Sequence, residues 1–144
     1  MIGIKPDISA STVPSSAAIR ILLVEDNVDN QFLFCAFVKK LSCQIEVAEN
    51  GAIGVEKFKS GSYDLVLMDM QMPVMDGYTA TQIIRQWENE KGKEQTPVIA
   101  LTANSLQEMA EKSLAAGCTA HVTKPVPKDT FIGIIWEYGG RRRS

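Results

Sequence analysis

Ile21-Leu22-Leu23-Val24-Glu25-Asp26 is a short apolar run that stops abruptly at two carboxylates. The same form returns in Leu65-Val66-Leu67-Met68-Asp69 and in Val98-Ile99-Ala100-Leu101-Thr102, and more weakly in Val122-Thr123-Lys124. Runs this short, alternating with helix-like stretches, read as parallel strands buried in an α/β sheet. Ligands of such sheets bind outside the carboxyl ends of the strands. Glu25, Asp26, Asp69, Thr102 and Lys124 are therefore expected to meet in one site of three carboxylates, a hydroxyl and an ammonium. That donor set suits a metal ion and a phosphoryl group rather than an apolar ligand.

Working outward, the pattern resolves into five β-α units. Strands are expected at about 20–25, 45–48, 64–69, 98–102 and 120–123. The helices that follow them are expected to reach about Leu41 and then to cover 51–60, 77–89, 105–116 and 127–138, with Gly139-Gly140 ending the last. Short connections between such units imply a five-stranded parallel sheet with helices on both faces. In the flavodoxin-like, doubly wound order 2-1-3-4-5, strands one and three are neighbours at the switch point. Asp26 and Asp69 end those two strands, so architecture and acidic site agree. Residues 1–18, rich in Ser, Ala, Thr and Pro, read as a flexible tail or linker, with the domain over 19–138 and a C-terminal tail over 139–144.

Composition is that of a soluble globular protein: 45% hydrophobic, 22% charged, with a formal net charge of -2 that offers no basic footprint for nucleic acid. Arg141-Arg142-Arg143 is the one basic cluster and reads as a solvated tail. Cys35, Cys43 and Cys118 have no metal-ligand spacing; their odd number and the missing signal peptide suggest reduced thiols in the cytoplasm. No apolar stretch approaches the roughly 20 residues of a membrane span.

A hard divalent cation such as Mg2+ (or Mn2+) takes oxygen ligands and commonly one or two protein carboxylates. Asp26 and Asp69 would supply these, with Glu25 acting through a water and the backbone carbonyl near Gln71 completing the protein share. Without a cation, two carboxylates about 4 Å apart at an effective dielectric near 20 repel by on the order of 4 kcal/mol. Asp69 is suited to act as a nucleophile, because aspartate forms acyl phosphates whose oxygens need positive charge and donors. Lys124 and Thr102 would provide them. Singly, each of these residues reads as a cap, a turn former or an exposed charge; their gathering at the same end of four strands reverses that.

Val24-Glu25-Asp26-Asn27, the segment from Met68-Asp69 to Asp76-Gly77, Ala100-Leu101-Thr102-Ala103 and Thr123-Lys124-Pro125 together resemble the signature segments of the two-component response-regulator receiver domain. The resemblance covers about Ile19 to Tyr138. It implies that Asp69 is the phosphoacceptor, Glu25 and Asp26 the acid pair that organises Mg2+, Thr102 the switch hydroxyl and Lys124 the phosphate-binding lysine. It also implies a cis peptide at Lys124–Pro125. The donor would be a histidine kinase or a histidine-phosphotransfer protein, and the output a change of protein contacts rather than an enzymatic reaction. Glu25-Asp26-Asn27 with Asn30-Gln31 is similar to receivers of hybrid sensor kinases.

Where the family carries an aromatic switch residue, this chain has His121, whose unperturbed pKa near 6.5 would make a switch pH-sensitive. Gln71 and Asn104 occupy positions that in the family tune phosphoryl hydrolysis. On the first helix, Asn30, Phe34, Phe37 and Leu41 form the inward stripe, flanked by Leu33 and Val38, and Phe32 is expected to face outward toward a partner. On the last helix, Phe131, Ile134, Ile135 and Tyr138 are expected inside and Ile132 and Trp136 outside. Met68, Met70, Met72 and Met75 read as gap-fillers around the nucleophile. Two rivals are a phosphatase of the haloacid dehalogenase type, disfavoured by Gln71 where a second Asp is required, and a degenerate receiver acting as a binding module.

Overall fold

A computed structural model describes residues 18–140. In chain order it contains β1 (Ile19–Val24), α1 (Val28–Phe37), β2 (Cys43–Ala48), α2 (Gly51–Ser60), β3 (Leu65–Asp69), α3 (Gly77–Glu90), β4 (Val98–Thr102), α4 (Gln107–Ala116), β5 (Ala120–Thr123) and α5 (Lys128–Ile134). The strands form one parallel sheet in the order β2-β1-β3-β4-β5, as expected. Val24 lies level with Met68, Asp69 with Leu101 and Thr102 with Thr123, so the polar residues that end the central strands emerge side by side.

Strands β3 and β4 are buried along their whole length, which is why they read as unbroken apolar runs. Edge strand β2 alternates half-buried with exposed residues and begins at Cys43, two residues earlier than expected, because Cys43 already pairs with Ile19. Two cores lie on opposite faces of the sheet. One packs Leu22, Val24, Val66 and Met68 against Val55, Phe58, Ala80 and Ile84 of α2 and α3. The other packs Ile21, Leu23, Leu67 and Leu101 against Phe34, Phe131 and Ile135, with the Phe34 and Phe131 rings stacked at 4.7 Å. Met68 and Met70 are buried, and Met72 and Met75 pack on the first core, as gap-fillers do.

Helix boundaries depart from the periodic reading in three places. Helix α1 stops at Phe37 rather than Leu41: the backbone leaves helical geometry at Val38, which is buried, and Leu41 and Ser42 already feed β2. Helix α4 begins at Gln107 rather than Ser105, because the Asn104 side chain accepts the Leu106 N–H and holds a turn there. Helix α5 widens into a π-helical turn over Ile135–Gly139. Leu33, expected at the edge of the buried stripe, is 45% exposed, so the buried face of α1 is narrower than expected. Ile132, expected outside, is half-buried in a groove it shares with Phe37 and Leu41.

The expected tail lies outside the described residues except for Ala18, which is buried; Arg141-Arg142-Arg143 also lies outside them. No helix among the described residues is long and apolar enough to cross a membrane.

Candidate functional site

Residues that the sequence separates by up to 99 positions meet at the carboxyl ends of β1, β3, β4 and β5. Glu25 follows β1 and is fully buried. Its backbone N–H donates to the Ala48 carbonyl at 2.9 Å and its own carbonyl accepts from the Gln31 amide at 2.7 Å. One carboxylate oxygen accepts the Asn27 N–H and the other the Lys124 ammonium, both at 3.1 Å. Asp26, next in the chain, is exposed. Helix α1 starts immediately afterwards, its first turn capped by the Asn27 side chain.

Asp69 ends β3 and is 4% exposed. One of its oxygens accepts the Gln71 N–H at 3.2 Å, and the other lies 3.4 Å from the Lys124 ammonium. Glu25, Asp26 and Asp69 each offer an oxygen within 4.8 Å of the others. Burial first and the Glu25 charge second push the Asp69 carboxyl up to about 7, against the opposing pull of Lys124 and the Gln71 N–H. Three carboxylates, two of them paired with the same lysine, leave an excess of negative charge in a small space. Hard oxygen donors in this arrangement fit a divalent cation.

Thr102 is buried at the end of β4, and its hydroxyl donates to the Asn104 carbonyl at 3.0 Å. Lys124 follows β5; its N–H donates to the Thr102 carbonyl at 2.6 Å, and its peptide bond to Pro125 is cis. All five expected side chains are thus brought to one end of the sheet. Gln71 opens the loop directly beyond Asp69 and is exposed. His121 lies apart from the carboxylates on edge strand β5, level with Ala100 and exposed.

Three supporting contacts had no clear sequence signal. The Gln31 amide locks the Glu25 backbone, the Asn104 carbonyl occupies the Thr102 hydroxyl, and Lys124 pairs with Glu25 as well as Asp69. Glycine at position 77 is a further requirement, because a Cβ there would collide with the Asp69 carbonyl and with Met70. Asn27 is of a type that caps helices, and its side chain accepts the Asn30 N–H at 2.9 Å.

Comparison with known proteins places this geometry. A family model for the response regulator receiver domain matches residues 21–135. Hybrid signal transduction histidine kinase G of Dictyostelium discoideum is 41% identical over 129 residues, which cover 88% of this chain and 4% of that protein. The chain spans between 4% and 15% of the length of the first five curated relatives. Among solved structures, the receiver domain of Ssk1 from Saccharomyces cerevisiae was crystallised with the histidine phosphotransfer signalling protein Ypd1. The match has a TM-score of 0.81 and 35% identity over 87% of this chain and 91% of that one. A second is the receiver domain of a sensor histidine kinase from Pseudomonas aeruginosa, with a magnesium ion coordinated in its active-site cleft. Its TM-score is 0.76 and its identity 37%, over 85% of this chain and 98% of that one.

Proposed function

The chain belongs to the response regulator receiver family of two-component signalling, and from that premise we propose that Asp69 is its phosphoacceptor. The observation that carries this is the crowding of Glu25, Asp26 and Asp69 within 4.8 Å around a single ammonium group. Asp26, Asp69 and the Gln71 backbone carbonyl, with Glu25 behind them, would hold Mg2+ or Mn2+, which when bound supplies positive charge to the phosphoryl oxygens.

An Asp69 carboxylate oxygen forms a bond to phosphorus while the donor's phosphorus–nitrogen bond breaks and the released imidazole takes up a proton. Lys124 stands beside the accepting oxygen and can turn from Glu25 toward the incoming phosphoryl. Thr102 would release the Asn104 carbonyl to donate to a phosphoryl oxygen, shifting the β4–α4 connection with it. Neither Gln71 nor Asn104 is a carboxylate that would act as a base toward water. His121, exposed on β5, stands where the family carries its switch aromatic and is assigned that role here.

Donation would come from a histidine kinase or a histidine-phosphotransfer protein. Support is the exposed apolar residues of α1, the helix that follows Glu25 and Asp26, with Val28 71% and Phe32 78% exposed, and the Ypd1 complex of the Ssk1 receiver. Output through protein contacts, in the cytoplasm where three free thiols stay reduced, completes the reading. Borohydride reduction of the phosphorylated protein, followed by peptide mapping, tests it. An acyl phosphate on Asp69 is converted to homoserine at that position, and a label on any other residue refutes the assignment.

A further inference from the structure

The outward face of α1 carries opposite charges at its two ends and apolar groups between them. Asp29, Leu33, Ala36 and Lys40 are all exposed. They follow one another at spacings of four, three and four, with Lys40 in the tight turns that prolong the helix, so they share one line along its axis. Each charge suits its own end of the helix dipole. Neither Asp29 nor Lys40 has an ion pair or a side-chain hydrogen bond among the described residues.

Beside this line, α1 and α5 enclose a groove of about 190 Å³. Ala36 and the half-buried Phe37, Leu41 and Ile132 line it, together with the exposed Lys40 and Lys128. Among the described residues it has cations and apolar carbon and no carboxylate. An occupant that suits it brings an apolar side chain with a negative charge close by. The first half of α1 presents that pair itself, as Leu33 and Asp29 one helical turn apart.

We infer that α1 is a self-complementary surface on which a second copy of this chain packs antiparallel. A two-fold axis crossing the helix midway between Leu33 and Ala36 sets position 29 of one copy opposite position 40 of the other, and position 33 opposite position 36. Leu33 of each copy then fills the groove beside Ala36 of its mate, where the small side chain lets the helices approach. Asp29 meets Lys40 at both ends of the contact. Contacts of this isologous kind use one patch twice and close on themselves. Phe32, 78% exposed at the edge of the line, loses water in the same step. One helix face is a small contact, so the dimer is weak and reversible.

Sedimentation velocity on the unphosphorylated chain, over a concentration series from about 10 µM to about 1 mM at low salt, reads the association. The wild type shifts from monomer toward dimer along the series, and less so at high salt. Asp29→Lys and Lys40→Asp each set like charges opposite one another, and each weakens the dimer by about tenfold or more. An equimolar mixture of the two variants regains it, because each then carries the charge that its mate lacks; that recovery also shows that both are folded. Leu33→Ser, which empties the groove and leaves the charges in place, weakens the dimer as well. A wild type that stays monomeric throughout would leave the groove to a partner of another kind and overturn the inference. Charge variants that associate as wild type does, or a mixture that stays monomeric, overturn it equally.

Discussion

The two ends of the sheet each bury carboxylate and cation together, and they do so in opposite ways. At the amino ends of β4 and β5, Arg85 lies 2.8 Å from Glu88 and spends its other N–H groups on the Gly117 and Thr96 carbonyls and, at 3.4 Å, on the Thr119 hydroxyl. The second Glu88 oxygen accepts the Thr96 N–H at 2.8 Å. One charge meets one charge, and four of the five guanidinium N–H donors have a partner. At the carboxyl ends, Lys124 faces Glu25 and Asp69 with Asp26 close by, and Asp69 is pushed up to about 7. The balanced cluster closes the fold by tying α3 to the loops that enter β4 and β5. The unbalanced one keeps an excess of negative charge that an added cation would relieve.

Breaking the balanced end carries the largest expected effect. Glu88→Ala leaves the Arg85 charge buried and unpaired, and stability falls by about 3–5 kcal/mol in urea unfolding. Labelling of Asp69 by acetyl phosphate survives at temperatures where the variant is folded.

Removing a charge from the unbalanced end acts the other way. Asp69 has a folded-state pKa raised above its usual 3.8, so its ionisation costs stability as pH rises from about 4 through about 7. Asp69→Asn removes that cost. The metal-free variant is expected to exceed wild type by on the order of 2–4 kcal/mol at pH 8, with the gain shrinking toward pH 4, read from Tm against pH. Saturating Mg2+ raises the Tm of the wild type at pH 8, and Asp69→Asn abolishes most of that rise. A metal-independent Tm would place the two ends in the same class.

Phe32→Ala carries the smallest effect on the fold, within about 0.5 kcal/mol, because the ring is 78% exposed. Its effect is expected at the partner: slower phosphotransfer from phosphorylated Ypd1, with labelling by acetyl phosphate retained. Equal transfer rates in stopped-flow would remove Phe32 from the docking surface.

The unbalanced end was far more legible in the sequence than the balanced one. Glu25, Asp26, Asp69 and Thr102 each terminate an apolar run, so burial of the run and the rule for parallel sheets suffice to gather them. Arg85 and Glu88 sit within a long helix, where their spacing reads as an ordinary surface pair. Their partners are backbone carbonyls and a hydroxyl up to 34 residues away, fixed only once α3 is docked on the sheet. The pairing of Lys124 with Glu25 was hidden for the same reason. The early end of α1 was hidden as well, because the apolar periodicity runs on to Leu41 although the backbone leaves the helix at Val38.

Intact-mass spectrometry after incubation with acetyl phosphate, on wild type and Asp69→Asn, with and without Mg2+, tests the central claim most directly. A single phosphate adduct on wild type, lost when either the metal or the Asp69 carboxylate is removed, is the predicted result. An adduct that persists in Asp69→Asn, or no adduct on wild type with Mg2+ present, would contradict it.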